Sequence, residues 1–383
     1  MNENTNIDRI NDYKIIVNDK KLNENILDNQ LISDIIRKCD KYKNNIFNMT
    51  SQYEYDKVYG IGDIHGDFEV IKKILFHIGC IIIRNNKIEW NPKSKNICIV
   101  QVGDIIDGYR PGIDTENYVS EDLKIIRLLL DLDTAAQKYN SRIILLYGNH
   151  EINNLFNVVD DIKLSNYHYS IKNNTLEEAT KFNKELKLLK SRILCNYRTI
   201  ILVNGYIFCH AGFVLKIIEK LLKLFGISHN DFIQLMPNDK IYLINACSAG
   251  ILHYLTTSKN NIQTNTLINQ TIKYIFIKIF QHRIYEKIAL NKTIHTTDKI
   301  ELDKNIIQTQ LLFNTKGMII GHNITYTRHI QQYNNLFGID IAMSRAFGNR
   351  IHNIEYIEIE KNKNAKVISI NYDNKYQSFL SQI

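Results

Sequence analysis

Proline is almost missing: Pro92, Pro111 and Pro237 are the only three among 383 residues, beside 16 glycines. So little of either excludes a Pro-rich linker or a Gly-rich low-complexity tail. Long apolar runs are missing too; none approaches the roughly 20 residues a bilayer-spanning helix needs. The opening MNENTNIDRINDYK has no apolar signal core, so neither secretion nor membrane insertion is expected and the cytoplasm is the predicted compartment. The six cysteines (Cys39, Cys80, Cys98, Cys195, Cys209, Cys247) form no CxxC pair, which predicts reduced thiols rather than a disulfide framework. A concentrated basic patch is also lacking. The net charge of +8, from 48 basic and 40 acidic residues, is spread along the chain and argues against a nucleic-acid partner.

What is present is the composition of a globular protein, with 44% hydrophobic and 23% charged residues. Residues 1–50 read as a polar extension with helical leanings, because ENILDNQLISDIIRKCDKY spaces its apolar residues at helical period. Residues 51–383 then repeat one theme, in which a short β-rich run ends in a polar turn that often leads into an amphipathic helix. YDKVYGIGD precedes FEVIKKILFHIG, and NICIVQVGD leads to SEDLKIIRLLLDLDTAAQKY, where Ser120 is the expected N-cap. SRIILLYGNHE and TIILVNGYIFCHAG follow, and KGMIIGHN, LFGIDIA, IHNIEYIEIE and KVISINY read as closing strands. Two intervals, about 155–192 and 213–315, read as helical insertions in one α/β domain.

The polar turns share a chemistry. They are GDIHGD (62–67), GDIID (103–107), GNHE (148–151), CHAG (209–212) and GHN (321–323), each with a glycine beside the polar residues or within two positions of them. Loops of this kind at strand ends can aim several side chains at one point. Asp63 and His65, two apart on extended chain, would point to one side and grip one cation. Asp104 would bridge to a second cation, completed by Asn149, His210 and His322. Mixed imidazole and carboxylate ligation suits Mn, Fe or Zn better than Ca or Mg. A neutral Asn149 leaves the pair net positive and able to attract phosphate, and a water activated between the two cations would attack phosphorus in line with the leaving oxygen. His150 is then the expected proton donor, with Asp107 fixing its tautomer and raising its pKa.

The five clusters, in this order and over roughly residues 57–350, resemble the calcineurin-like metallophosphoesterase superfamily. Their spelling is most similar to its PPP-type serine/threonine phosphatase branch and that branch's Shewanella-like and diadenosine tetraphosphate hydrolase relatives. The resemblance implies a two-sheet sandwich flanked by helices, a dinuclear site at its edge, and the same ligand and proton-donor residues. It also implies arginines that hold the phosphate, and here the chain departs: GDIIDGYRPG has Gly108 where the family's GDxxDRG has arginine. Arg110 is the expected substitute, and Arg283 in FQHRIY is the second candidate. GIDIAMSRAFG (338–348) resembles a motif of bacterial, protist and large-virus members; for a virus-encoded chain the compartment would be the host cytoplasm or the virion.

The expected activity is hydrolysis of phosphomonoesters on a phosphorylated protein or small molecule, with phosphoserine or phosphothreonine proteins first. The alternatives are a dinucleoside polyphosphate hydrolase, a nuclease or phosphodiesterase, and a catalytically silent binding scaffold. Each aspartate after glycine is, taken alone, ordinary turn chemistry; the set of five clusters favours metal. Asp67 is read as a helix cap, Glu151 as an orienter of ligand histidines, Arg345 as structural, and Tyr356 and Tyr372 as strand packing. The histidines outside the clusters, such as His282, are read as surface or core.

Overall fold

The computed structural model describes residues 30–42, 54–110, 118–157, 169–173, 175–257, 266–286, 296–348 and 353–370. Two five-stranded sheets form its centre. The first has the order β12 (Lys366–Ile370), β11 (Ile354–Glu360), β1 (Lys57–Ile61), β4 (Ile97–Gln101), β5 (Arg142–Leu145). Strands β1, β4 and β5 are parallel, and β11 runs antiparallel to β1 and β12. β4 is buried along its whole length, which is why it reads as the continuous run ICIVQ rather than as an alternation.

The second sheet has the order β6 (Ile200–Val203), β7 (Tyr206–Cys209), β8 (Gly317–Ile320), β10 (Leu336–Gly338), β9 (Gln331–Tyr333). The sheets meet face to face: the Cα of Gly60 on β1 lies so close to Phe208 of β7 that a Cβ there would sit 3.0 Å from the ring. The parallel strands β1, β4, β5, β7 and β8 send their C-terminal ends to one edge of this sandwich. All five polar clusters follow those ends, so the topology joins distant segments, as in the hydrogen bond between His322 and Asp63, 259 residues apart.

Helices cover both sides. α1 (Gln30–Cys39) lies within the N-terminal extension; α2 (Phe68–Ile78), α3 (Asp122–Ala136) and α4 (Asn149–Asn157) follow β1, β4 and β5. α2 begins as expected: the Asp67 carboxylate accepts the Val70 N–H at its start. α3 does not. It starts at Asp122 after an N-cap Glu121 that makes no side-chain cap bond, because the Ser120 hydroxyl donates instead to the buried Asp122 carboxylate. The hairpin β2 (Ile81–Arg84) and β3 (Lys87–Trp90) was not anticipated; its turn residues Asn85 and Asn86 both have positive φ, as tight two-residue hairpins require. The two intervals read as insertions carry α5 (Leu176–Asn196) and then α6 (Leu215–Lys223), α7 (His229–Gln234), α8 (Pro237–Thr257), α9 (Thr266–Gln281) and α10 (Thr296–Phe313). No helix among the described residues is long and apolar enough to cross a membrane. Tyr372 lies outside the described residues, while Tyr356 packs in β11 with its ring edge against Tyr59.

The expectation of six reduced thiols is corrected. Cys39 at the end of α1 and Cys195 near the end of α5 form a disulfide across a sequence separation of 156. Spacing along a chain carries no information about such a pair; packing of α1 against α5 brings the two buried sulfurs together. Cys80, Cys98, Cys209 and Cys247 are free and buried.

Candidate active site

Asp104, on the loop after β4, is the focus of the cluster. Its Oδ1 accepts the backbone N–H of His150 at 3.0 Å. Its Oδ2 lies 3.3 Å from His210 Nε2 and 3.9 Å from the Nε2 atoms of His65 and His150. Two groups of donor atoms within 4.8 Å of one another share this carboxylate: His65, Asp104 and His150 on one side, Asp104, His210 and His322 on the other. Asn149 adjoins the second group, with Oδ1 3.1 Å from His210 Nε2. Asp63 stands next to it, both of its oxygens turned to the His322 N–H at 3.1 and 3.4 Å.

Backbone conformation aims these side chains. His65, Asp104, Asp107 and His322 all have left-handed φ, between 43° and 69°, a region that His and Asp tolerate better than other non-glycine residues but that still costs energy. His65 therefore sits in a turn. This differs from the extended segment expected to set Asp63 and His65 on one side, and His65 faces His150 instead, rings edge to face at 4.9 Å. Asn149 and His150 likewise open helix α4 rather than lying on extended chain, so they diverge by the helical step. Gly148 lets the two loops touch: a Cβ there would lie 2.1 Å from Asp104 Oδ1.

Glu151 makes this geometry possible, though not as an orienter of histidines. It is only 2% exposed, and its Oε2 accepts the N–H groups of Asp104 and Gly148 at 2.8 Å each. Its Oε1 accepts those of Ile105 at 2.8 Å and Ile106 at 3.3 Å. The histidines are held by carbonyls: His65 Nδ1 donates to Ile106 O at 3.0 Å and His210 Nδ1 to Val102 O at 2.8 Å. Both bonds fix the ring orientation and turn Nε2 toward Asp104 Oδ2.

These residues fit a metal centre on three counts. His322 Nε2 is buried without a hydrogen-bond partner. Burial, with Asp340 and Asp104 nearby, pushes the Asp63 carboxyl well above its ordinary range, a repulsion that a cation would relieve. The donor set of imidazole nitrogens with carboxylate and amide oxygens suits Mn, Fe or Zn, without deciding among them.

His150 and Asp107 form the expected pair, Nδ1 to Oδ2 at 2.6 Å. Burial alone would depress the His150 pKa, but the Asp104 and Asp107 carboxylates outweigh it and lift it to about 9. The pair therefore stabilises the fold fully below the unfolded value near 6.5 and progressively less as pH rises through about 9. In the metal-free protein, Asp107→Asn is expected to return the His150 titration toward its ordinary range. Proton NMR of the imidazole carbons reads this, and an unmoved pKa would count against Asp107 as its cause.

Several supporting residues carried little or no sequence signal. Asn154, one helical turn beyond His150, donates its amide to both Asp107 oxygens at 3.1 and 3.0 Å; its i+4 spacing was the clue. Ser170, from the first insertion, donates to Asp107 Oδ1, and nothing local announces it. Asp122 accepts the Asp107 N–H at 3.1 Å; burial and the Asp107 charge raise its own pKa to about 7. Asp340 lies buried near Asp63 and Asp104, and its pKa is raised to about 6 by burial foremost.

Of the two arginines, Arg110 enters the site, with Nη2 3.1 Å from His65 Nε2 and 3.5 Å from His150 Nε2. Arg283 lies at the surface in an ion pair with Glu286 at 3.3 Å, although its charge still acts on His322. Arg345 is structural: its Nε and Nη2 clasp the buried Asp67 carboxylate at 2.9 and 2.7 Å. His282 is buried beneath this side of the site near Gly212 O, and burial lowers its pKa to about 4.

Comparison with known proteins agrees with this geometry. The profile of the calcineurin-like phosphoesterase family matches residues 57–334. Shewanella-like protein phosphatase 1 of Plasmodium berghei is 27% identical over 300 residues, covering 75% of this chain and 67% of that protein. Shewanella-like protein phosphatase 2 of Arabidopsis thaliana is 34% identical over 100 residues, 26% of this chain and 22% of that one. Among solved structures, the cold-active protein-tyrosine phosphatase of a psychrophilic Shewanella superposes with a TM-score of 0.54 at 18% identity, over 84% of this chain and 83% of that one, a likeness of fold. With a profile spanning most of the chain and a shared carboxylate between two imidazole groups at the sheet edge, this protein belongs to the calcineurin-like phosphoesterase family and is a phosphoester hydrolase.

Proposed function

We propose that the protein hydrolyses phosphomonoesters at a two-metal centre, with phosphoserine and phosphothreonine in proteins as its first substrates. The observation that carries this reading is the position of Asp104 Oδ2 among the Nε2 atoms of His65, His150 and His210, with Asp107 on the far nitrogen of His150. Asp63, His65 and Asp104 would hold one cation, and Asp104, Asn149, His210 and His322 the other. Bound there, two cations would acidify a water and neutralise charge on the phosphate.

The chain's own residues supply the rest. Held by Asp107 on Nδ1, His150 faces the site with Nε2 and can give a proton from that nitrogen to the departing alkoxide. Asp107 keeps the imidazole oriented and is itself held by Asn154 and Ser170. Arg110 offers a fixed cation to the non-bridging phosphate oxygens. The likeness to Shewanella-like protein phosphatases supports a protein substrate.

A substrate panel with added manganese tests the proposal. p-Nitrophenyl phosphate and phosphoserine or phosphothreonine peptides are expected to be cleaved, and diadenosine tetraphosphate more slowly. Preference for the dinucleotide would replace the protein-phosphatase reading with that of a dinucleoside polyphosphate hydrolase. Preference for a phosphotyrosine peptide would move the substrate class but keep the chemistry.

A further inference from the structure

The loop that carries Asp107 has no room for a side chain at position 108. A Cβ on Gly108 would lie 2.1 Å from Ser120 Oγ and 2.7 Å from the carbonyl oxygen of His65. The site's guanidinium instead comes from Arg110, two residues on, and a displaced, longer reach needs its own support. Two aromatic rings provide it. The Arg110 guanidinium carbon lies 5.2 Å from the ring centroid of Tyr169 and 5.0 Å from that of Phe347, within the range where a cation is drawn to a ring.

Both rings are themselves anchored. The Tyr169 carbonyl accepts the N–H of Tyr109, which ties its segment to the Arg110 loop at 2.9 Å, and the next residue, Ser170, donates to Asp107. Phe347 ends a short 3-10 turn capped by Ser344 Oγ on the Ala346 N–H. That turn is pinned by Arg345 on Asp67, and the Ser344 hydroxyl also reaches His65 O at 3.2 Å. The ring edges continue to the reacting groups, Phe347 to His65 at 5.1 Å and Tyr169 to His150 at 6.3 Å between centroids.

Resting on the phosphatase reading above, we propose that Tyr169 and Phe347 are positioning residues that clamp Arg110 and thereby set the affinity of the site for a phosphate dianion. The first insertion and the GIDIAMSRAFG segment thus build one device. A clamped guanidinium loses less side-chain entropy when it meets phosphate, so the clamp acts on anion affinity.

The experiment measures KM and kcat for p-nitrophenyl phosphate and the affinity for inorganic phosphate by calorimetry, on the full chain loaded with manganese. Tyr169→Leu and Phe347→Leu are each expected to weaken phosphate binding and raise KM about five- to thirtyfold, the span between losing an exposed and losing a desolvated cation–π contact. Metal content should stay at the wild-type value, and Tyr169→Phe, which keeps the ring, should restore wild-type affinity. In an Arg110→Ala background the same ring substitutions should change phosphate affinity less than about twofold, since coupled residues are not additive. Equal losses with and without Arg110 would overturn the clamp, as would undiminished affinity in both leucine variants. If phosphate binds through Arg110 while no ester is turned over, the hydrolase reading fails and the clamp stands.

Discussion

Asp104→Asn is expected to lower turnover of p-nitrophenyl phosphate by on the order of a thousandfold or more, equivalent to about 4 kcal/mol of barrier. The reason lies in how fully this carboxylate is used. One oxygen is committed to the His150 N–H, and the other faces three imidazole nitrogens between 3.3 and 3.9 Å away. Burial favours its neutral form, but the His210 and His150 imidazoles outweigh that and hold it well below the usual carboxylate range. An amide has nearly the same shape but no charge and one oxygen, so it cannot serve two cations. Metal analysis should show less bound manganese per chain, and far-UV circular dichroism should be unchanged. Wild-type turnover by this variant would remove the two-metal reading.

Glu151→Ala is expected to destabilise the metal-free fold by about 3–5 kcal/mol, because truncation leaves buried donors without their charged acceptor. Four backbone N–H groups, those of Asp104, Ile105, Ile106 and Gly148, depend on this one carboxylate. They are also the amides of the loops that hold Asp104 and Asp107 at positive φ, so the strained conformation and its acceptor go together. Glu151→Gln should lose less, since an amide oxygen still accepts on one side while its NH2 opposes the donors on the other. Urea unfolding reads both variants. A loss under about 1 kcal/mol for alanine would mean that water replaces the carboxylate and that Glu151 does not organise the loops.

Much of the site is legible in the sequence. The five clusters stand out because glycine and acid or imidazole residues follow apolar strand runs, and such runs must be buried where the polar turn is not. The convergence of Asp63, His65, Asp104, Asn149, His150, His210 and His322 at one sheet edge is readable in this way, as is Asp67 at its cap. Glu151 stands out too, but its partners are backbone amides and not the histidines, whose nitrogens nearby carbonyls satisfy. Ser120 looked like a cap because its neighbours are acidic, yet a buried Asp122 took its hydroxyl.

Local pattern, then, was enough to mark which residue types stand at the strand ends, and the proposal that they serve cations and phosphate starts from there. Tertiary structure alone decided who meets whom. The Cys39–Cys195 bond, the hydrogen bond from Ser170 to Asp107 and the two rings around Arg110 join segments whose separation leaves no periodic trace. Periodicity reports the burial of one element against a general apolar interior, whereas a specific pair depends on how separate elements are placed in space, which no single stretch of chain encodes.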